Sequence, residues 1–433
     1  MALGGGTFAV QNKALPGAYI NFVNAAQATT ALSERGIVAA PLELDWGPDG
    51  EVFSLTAQEF FKDCQKVLGF ETTDEKMKPL AEMFINARQA YLYRLNAGGA
   101  KAANDLATAR YTGTRGNDLR VAVQANETST EAKPVYDVVT YLGTRKVDVQ
   151  TVESTSGLVS NAYVDFKPSA TLAVAAAVAL TGGTNGTVTN EAYQIFLDKL
   201  EAYSVHVLTC ATTTAAVKAL FAAYTRRMRD EVGKKLQCVL HQYAAADYEG
   251  VISFENNATP ELVYWVAGAA AACPVNRSLT NRTYDGGYEV NVDYTQTDLA
   301  EALRAGKLIL HRVGDEVRVL KDINTLTTYT ADKGTDFATN QTVRVLDQIG
   351  NDIASLFNDR YLGKVPNDAA GRVSLWNDIV SHHQQLQALQ AIEGFTPEQV
   401  AVEPGDTKTS IVVRDQVTPV SAMDQLYMTV VVA

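Results

Sequence analysis

The residues able to do chemistry are few and scattered. The chain carries five histidines, His206, His241, His311, His382 and His383, and four cysteines, Cys64, Cys210, Cys238 and Cys273. Imidazole is the commonest general base and metal ligand, but only His382 and His383 are neighbours. Adjacent positions on a helix point to different sides, so the pair is expected to be core or surface histidines rather than two ligands of one ion. A cysteine attacks only as a thiolate beside a base or cation. The four here are far apart and form no C-x-x-C, so buried free thiols in a reducing compartment are expected. Gly306-Lys307 and Gly363-Lys364 lack the upstream glycine of a phosphate loop. Gly113-Thr-Arg-Gly116-Asn117 precedes a strand instead of a helix and reads as a turn requiring positive φ. There is no G-x-S-x-G elbow and no H-E-x-x-H helix. No catalytic, cofactor-binding or metal-ligating set emerges, and an enzyme is not expected.

The elements that would have to position a site point to a multidomain chain. Its 433 residues suit two or three domains, and 46% hydrophobic with 20% charged residues is an ordinary globular composition. A net charge of −12 argues against a nucleic-acid surface spread over the chain. Met1 to Gly6 has no basic n-region or apolar core, so no secretory leader is expected. The apolar runs Leu172 to Leu180 and Leu262 to Cys273 are too short to span a bilayer.

Residues 1–24 read as an N-terminal arm, with Gly4-Gly5-Gly6 and Pro16-Gly17 before an alternating strand at Ala18 to Val23. Residues 25–96 form a first part of a mixed α/β core. There Thr56 and Glu59 make a capping box and Gly69 stops the helix. A second helix around Asp74 to Ala87 leads into a strand at Gln89 to Leu95. Residues 97–188 change texture: short strands at Ala109 to Thr112, Leu119 to Ala125, Tyr136 to Leu142 and Lys146 to Val152 predict an inserted β-sandwich-like domain, closed by a linker or hinge at Gly182 to Gly186.

Residues 189–405 return to α/β. Asn190 is expected to cap a helix bearing Tyr193, Phe196, Leu197 and Leu200, and a helix from Thr213 to Lys234 lies among strands at Val205 to Cys210, Leu236 to His241 and Val251 to Phe254. That alternation predicts a partly parallel sheet. A hairpin turns around Gly314-Asp315. Two helices, Thr342 to Arg360 with a stripe of Leu346, Ile349, Ile353 and Leu356, and Arg372 to Ile392 with Trp376, Ile379, His383 and Leu386, predict a helical hairpin. The fold class is α+β multidomain: a mixed α/β core with a C-terminal helical hairpin and terminal strand arms, plus the inserted β-sandwich-like domain.

Residues 406–433 end the chain with Ile411 to Val413 and the Val- and Tyr-rich Leu426 to Val432. No lysine, proline or bulge guards that last run, so its unpaired backbone invites pairing. It is either the last strand of its own domain's sheet or a strand lent to a neighbouring subunit.

Several segments resemble the tail sheath proteins of contractile-tailed phages and phage-like particles of Gram-positive bacteria. They include LPGAYINFV near the start, AYLYRLNAGGAKA from Ala90, ARYTGTRGNDLRVAV from Ala109, WVAGAAAACPVNRSLTNRTYDG from Trp265, RVLDQIGNDIASLFNDRYLGKVPNDAAGR from Arg344 and the closing LYMTVVV. Their order spans nearly the whole chain. The resemblance implies a structural subunit that polymerises as six-fold rings stacked helically around a tail tube. The sleeve contracts to drive the tube through a target envelope, without nucleotide or other cofactor. Implied partners are other copies of the chain, the tube protein, and baseplate and terminator or collar proteins, with no direct nucleic acid and no membrane insertion. The implied location is a virion or phage-tail-like particle assembled in the host bacterial cytoplasm. Tyr19, Ile20, Phe22 and Val23 with Leu426, Tyr427, Met428, Val430 and Val431 become the intersubunit arm strands. Lys364 and Arg372, flanking the helical turn, become candidates for contact with an acidic tube, and the insert is expected on the outside. Another self-assembling tail or shell subunit is the alternative.

Overall fold

The computed structural model of the chain describes residues 32–256 and 259–432. The described residues form two compact units, one of residues 34–351 with 419–432 and one of residues 352–418 with 32–33. Tyr19, Ile20, Phe22 and Val23 lie outside the described residues.

The larger unit opens with β1 (Ile37–Leu42), β2 (Val52–Thr56), α1 (Ala57–Leu68), α2 (Lys78–Phe84) and β3 (Gln89–Arg94). The capping box of α1 forms as its spacing predicts: Glu59 N donates to Thr56 Oγ1 at 3.2 Å and Thr56 N donates to Glu59 Oε2 at 2.8 Å. Gly69 ends that helix at φ 79°, and a Cβ there would meet the Trp46 side chain at 2.9 Å. The insert follows as β4 (Ala107–Ala109), β5 (Leu119–Ala125), β6 (Tyr136–Leu142), β7 (Arg145–Val152), β8 (Val164–Phe166) and β9 (Ala175–Ala179). The core resumes with α3 (Asn190–Leu200), β10 (Val207–Cys210), α4 (Ala215–Arg227), β11 (Gln237–His241), β12 (Val251–Phe254), α5 (Val263–Ala272), α6 (Gln296–Arg304) and β13 (Lys307–Leu308). The hairpin β14 (Leu310–Val313) and β15 (Glu316–Val319) precedes α7 (Asn340–Leu356), which begins in the larger unit and ends in the smaller.

Seven strands make one sheet in the order β13-β12-β11-β10-β1-β3-β2. All neighbours run parallel except β2, antiparallel to β3. A parallel sheet must be covered on both faces, and the side-chain alternation does this. Val38 and Ala40 of β1 join the cluster under α1, α2 and α5, while Ala39 joins α3 and α4 on the opposite face. The apolar run at Val263 to Ala271 is buried all round as α5. A Cβ on Gly268 would sit 2.4 Å from Met83 O, so this glycine lets α5 pack on α2. No helix among the described residues is long and apolar enough to cross a membrane.

In the insert, β7-β6-β5-β9 form an antiparallel sheet and β4-β8 a second pair. Val121, Val123, Val138 and Leu142 pack with Ala107, Ala109 and Val164 between them. The glycine stretch that closes the insert is a packed neck, not a hinge. Gly186 N donates to Asn96 O at 3.0 Å and Thr184 N to Ala100 O at 3.1 Å, and the Asn117 amide binds Gly183 O and N, each at 2.8 Å. A Cβ on Gly186 would lie 1.7 Å from Ala97 O. The composition that signals freedom here serves close backbone approach.

Other expectations shift. Thr189, not Asn190, caps α3, its hydroxyl accepting from Ala192 N at 3.3 Å. The helix from Thr213 stops at Arg227, continues as a π-turn over Met228–Val232, and closes on Gly233 at φ 87°. In α7 the apolar stripe Leu346, Ile349, Ile353 and Leu356 is only half-buried, whereas Asn340, Gln341, Arg344, Asp347 and Gln348 are buried. Their partners explain it: Arg229 binds Asp347 at 2.6 and 2.8 Å, and Arg344 binds Asp322 at 2.6 Å.

The smaller unit holds the end of α7, a π-turn at Phe357–Tyr361, α8 (Ala369–Ala388), β16 (Ile392–Glu393), β17 (Val400–Pro404) and β18 (Ile411–Asp415). Asp368 caps α8 by accepting from Gly371 N at 2.7 Å. Tyr361 Oη and Arg360 Nη1 donate to Asp378 at 2.6 and 3.1 Å, fastening the helical hairpin. β17 and β18 form an antiparallel ribbon, seated on α8 through Trp376 Nε1, which donates to Val400 O at 2.9 Å.

Candidate functional site

The residues with chemical potential are spent on the core. Burial pushes the Cys64 and Cys238 thiols up to about 12 and raises those of Cys210 and Cys273, so none is a thiolate nucleophile near neutrality. His241 is buried with Nε2 3.2 Å from Asn256 O, and burial lowers its pKa. Among the described residues no three His, Cys, Asp or Glu side chains gather as a metal site. Gly113 does take φ 125°, and a Cβ there would overlap Asp45 O at 2.0 Å, but the residues after it wind as a short 3-10 helix, Thr114–Asp118, that leads into β5.

What stands out is surface left uncovered. Residues 420–432 carry no strand, helix or turn. In this segment Leu426 is 86% exposed, Tyr427 87%, Met428 74%, Val430 70% and Val431 84%. Burying such side chains stabilises by roughly 1.5–3 kcal/mol each, so covering the segment is worth on the order of 10 kcal/mol before ordering costs. Its root is fixed. The Gln341 amide donates to Val420 O at 2.9 Å and accepts from Ala422 N at 3.0 Å, imitating a strand partner. Lys321 pairs with Asp424 at 3.2 Å. Beyond Asp424 the apolar run is presented to solvent.

The smaller unit has two open features of its own. The β17–β18 ribbon pairs with no third strand among the described residues, and Val412 and Val413 are exposed. Two strands alone are marginal in water. Beside it lies a groove of about 300 Å³ lined by Phe357, Tyr361, Leu362, Val365, Leu375 and Ile411, with Arg372 and Lys408 at its polar margin. Of the two basic residues singled out from sequence, Arg372 lines this groove while its Nη1 donates to Asn367 O at 3.2 Å and Oδ1 at 3.0 Å. Lys364 is exposed and its Nζ donates to Asp359 O at 2.5 Å. The helical turn brings both into one region.

Sequence reasoning missed Gln341, the buried clamp at the root of the tail, because it precedes the expected helix start at Thr342 and nothing local announces its partner. It also missed Arg94, fully buried, whose Nη1 donates to Thr112 O at 2.9 Å and Nη2 to Asn185 Oδ1 at 3.3 Å. The side chain ties β3 to both ends of the insert.

Comparison with known proteins places these features. Residues 35–95 match the tail sheath protein Gp18 domain III N-terminal region, residues 97–185 the phage tail sheath protein beta-sandwich domain, residues 186–325 the phage tail sheath protein central domain, and residues 332–433 the phage tail sheath C-terminal domain. The chain is 32% identical to the phage-like element PBSX protein XkdK of Bacillus subtilis, over 99% of each. It is 35% identical to the sheath tail protein of Desulfitobacterium hafniense, covering 95% of this chain and 99% of that one with a TM-score of 0.81. The fold also matches the helical sheath of the anti-feeding prophage in its contracted state, at 12% identity and a TM-score of 0.58 over 97% and 99% of the chains.

Proposed function

The chain belongs to the phage tail sheath protein family and is a structural protein, not an enzyme; from that premise we propose that it polymerises as stacked six-fold rings around a tail tube and contracts to drive the tube through a cell envelope. The observation that carries this reading is the apolar tail beyond Asp424, clamped at its root and unpaired in the single chain. A segment that leaves 70% or more of Leu426, Tyr427, Met428, Val430 and Val431 in water requires a partner in the working state. β-augmentation supplies one. The acceptor we favour is the β17–β18 ribbon of a neighbouring copy, which lacks a third strand among the described residues. Tyr19, Ile20, Phe22 and Val23 would add from another neighbour, so that the sleeve is a mesh of exchanged strands.

Contraction then needs no nucleotide: free energy stored in an extended packing is released as rigid subunits repack about the arms. Tube, baseplate and terminator or collar proteins are the remaining partners, and assembly takes place in the host bacterial cytoplasm. The test is electron microscopy of the full chain, alone and with its cognate tube, beside a variant lacking residues 426–433. Striated cylinders from the full chain and folded, unassembled protein from the truncation are expected. Normal sleeves from the truncated chain would sink the arm assignment, and an unfolded truncation would return the segment to its own domain's sheet.

A further inference from the structure

Helix α8 brings together two residues that helical periodicity separates. His382 and His383 are 2% and 0% exposed, and their Nδ1 atoms lie 3.2 Å apart. The other nitrogen of each ring meets a carboxylate. His382 Nε2 is 3.0 Å from Asp352 Oδ2, at the end of α7, and His383 Nε2 is 2.7 Å from Asp415 Oδ2, at the end of β18. Ser33 Oγ donates to Asp352 Oδ1 at 2.5 Å, and the Phe395 ring lies over His383 at 5.1 Å. Among the described residues, Asp352 and Asp415 are the carboxylates that meet the pair. Arg360, on the turn after α7, and Asp378, on α8, bind each other, and Arg414 of β18 lies 4.0 Å from Glu403 of β17.

This chain of carboxylate, imidazole, imidazole and carboxylate has three hydrogen-bonded contacts, and each needs one proton. Two carboxylates and two neutral imidazoles carry only two. If both Nε2–H groups donate to their aspartates, the facing Nδ1 atoms present lone pair to lone pair at 3.2 Å between two buried rings, while the Asp415 side chain at the other end stays 23% exposed. We propose that the four groups bind a third proton, taken from solvent and shared between the two Nδ1 atoms, which locks α7, α8 and the ribbon together. The pair is an imidazole–imidazolium couple held between two carboxylates, with one net negative charge. Loss of that proton sets lone pairs face to face, and gain of a fourth sets two N–H groups and two cations against each other. The lock is therefore closed only with the third proton in place. It rests on this geometry and not on the sheath reading.

The test is ¹⁵N spectroscopy of the full chain labelled at histidine, with His382 and His383 assigned from the Asn variants. Both Nε2 atoms protonated, and one exchange-protected proton coupled to both Nδ1 atoms, is the expected result. Asp415→Asn keeps an acceptor but removes the charge that favours the cation, so the proton shared between the two Nδ1 atoms should be lost from the variant's spectrum. Two unprotonated Nδ1 atoms throughout the folded range would overturn the proposal. So would a tightly held metal ion whose chelation shifts the Nδ1 signals, or an Asp415→Asn variant whose Nδ1 signals are those of the wild type. Where the histidine variants fail to fold, the wild-type and Asp415→Asn spectra decide alone.

Discussion

Arg344 and Asp322 are each 1% exposed and meet at 2.6 Å. Asp322 also accepts from Leu279 N at 2.9 Å and Asn340 Nδ2 at 2.8 Å. Deleting one member of such a pair strands the other charge in the core, at a cost of about 3–5 kcal/mol. Asp322→Ala should therefore lower the unfolding free energy by about that amount in urea; a loss under about 1 kcal/mol would remove the pair from the supports of the core. Asp247 gives a pH-dependent counterpart. Burial opposes its ionisation, but hydrogen bonds from Thr328 and Thr327 outweigh this and hold its carboxyl down at about 2. A folded pKa below the unfolded one means the folded state binds fewer protons. The stability is then complete above about pH 4 and lost as pH falls toward about 2. Asp247→Asn should be less stable than wild type at pH 7 and converge with it on acidification; a constant difference would assign the effect to geometry alone. None of this was legible in the sequence. Hydrophobic periodicity counts Arg344 and Asp347 as outward-facing, Gln341 precedes the expected helix, and their partners Asp322, Arg229 and the Val420 backbone are distant along the chain. For His382 and His383, periodicity fixes the Cβ directions, while side-chain torsions brought the ring nitrogens together.

Elements whose signals are local read true. The capping box of α1, strands β5, β6 and β12 and the β14–β15 turn are set by residues within a few positions of each other. The ends of the helical hairpin shift: α7 runs Asn340–Leu356 instead of Thr342 to Arg360, and α8 Ala369–Ala388 instead of Arg372 to Ile392. The neck of the insert did not read true either, because Gly99 and Gly186 are glycine for a crossing between segments far apart in sequence: a Cβ on Gly99 would sit 1.9 Å from Thr184 O. The candidate surface was half legible. The unguarded apolar tail could be seen, the basic pair at the helical turn could be named, and the groove they border could not. Arg372 spends its hydrogen bonds on its own turn and Lys364 on the Asp359 carbonyl, so reversing both charges should cost less than about 1 kcal/mol of fold stability. Under the proposal that this turn faces an acidic tube, the double Glu variant should bind tube roughly tenfold more weakly, most clearly at low salt. Its tube-free cylinders should be unchanged. Equal tube binding would discard both residues.

At the scale of the whole chain, the insert interrupts the core between β3 and α3, yet its entry and exit already touch: Gly186 N donates to Asn96 O at 3.0 Å. The loop that the insert closes is therefore short at its base, and replacing it costs little closure entropy. It also has its own buried cluster, to which the core contributes Trp46. Replacing residues 97–185, the β-sandwich match, by two glycines removes the Thr112 and Asn185 partners of Arg94 and bares Trp46. A loss of a few kcal/mol is expected from those two sites, with one cooperative urea transition retained, since the seven-stranded sheet keeps both of its faces covered. An unfolded product would mean that the insert is a folding partner of the core. Because neither the β17–β18 ribbon nor the tail beyond Asp424 belongs to the insert, the proposed strand exchange survives its removal. If the insert lies on the outside of the sleeve, the excised chain should still form cylinders, with the helical repeat of the full chain and a narrower outer diameter in electron micrographs. A folded excised chain that no longer polymerises would instead place the insert between neighbouring subunits.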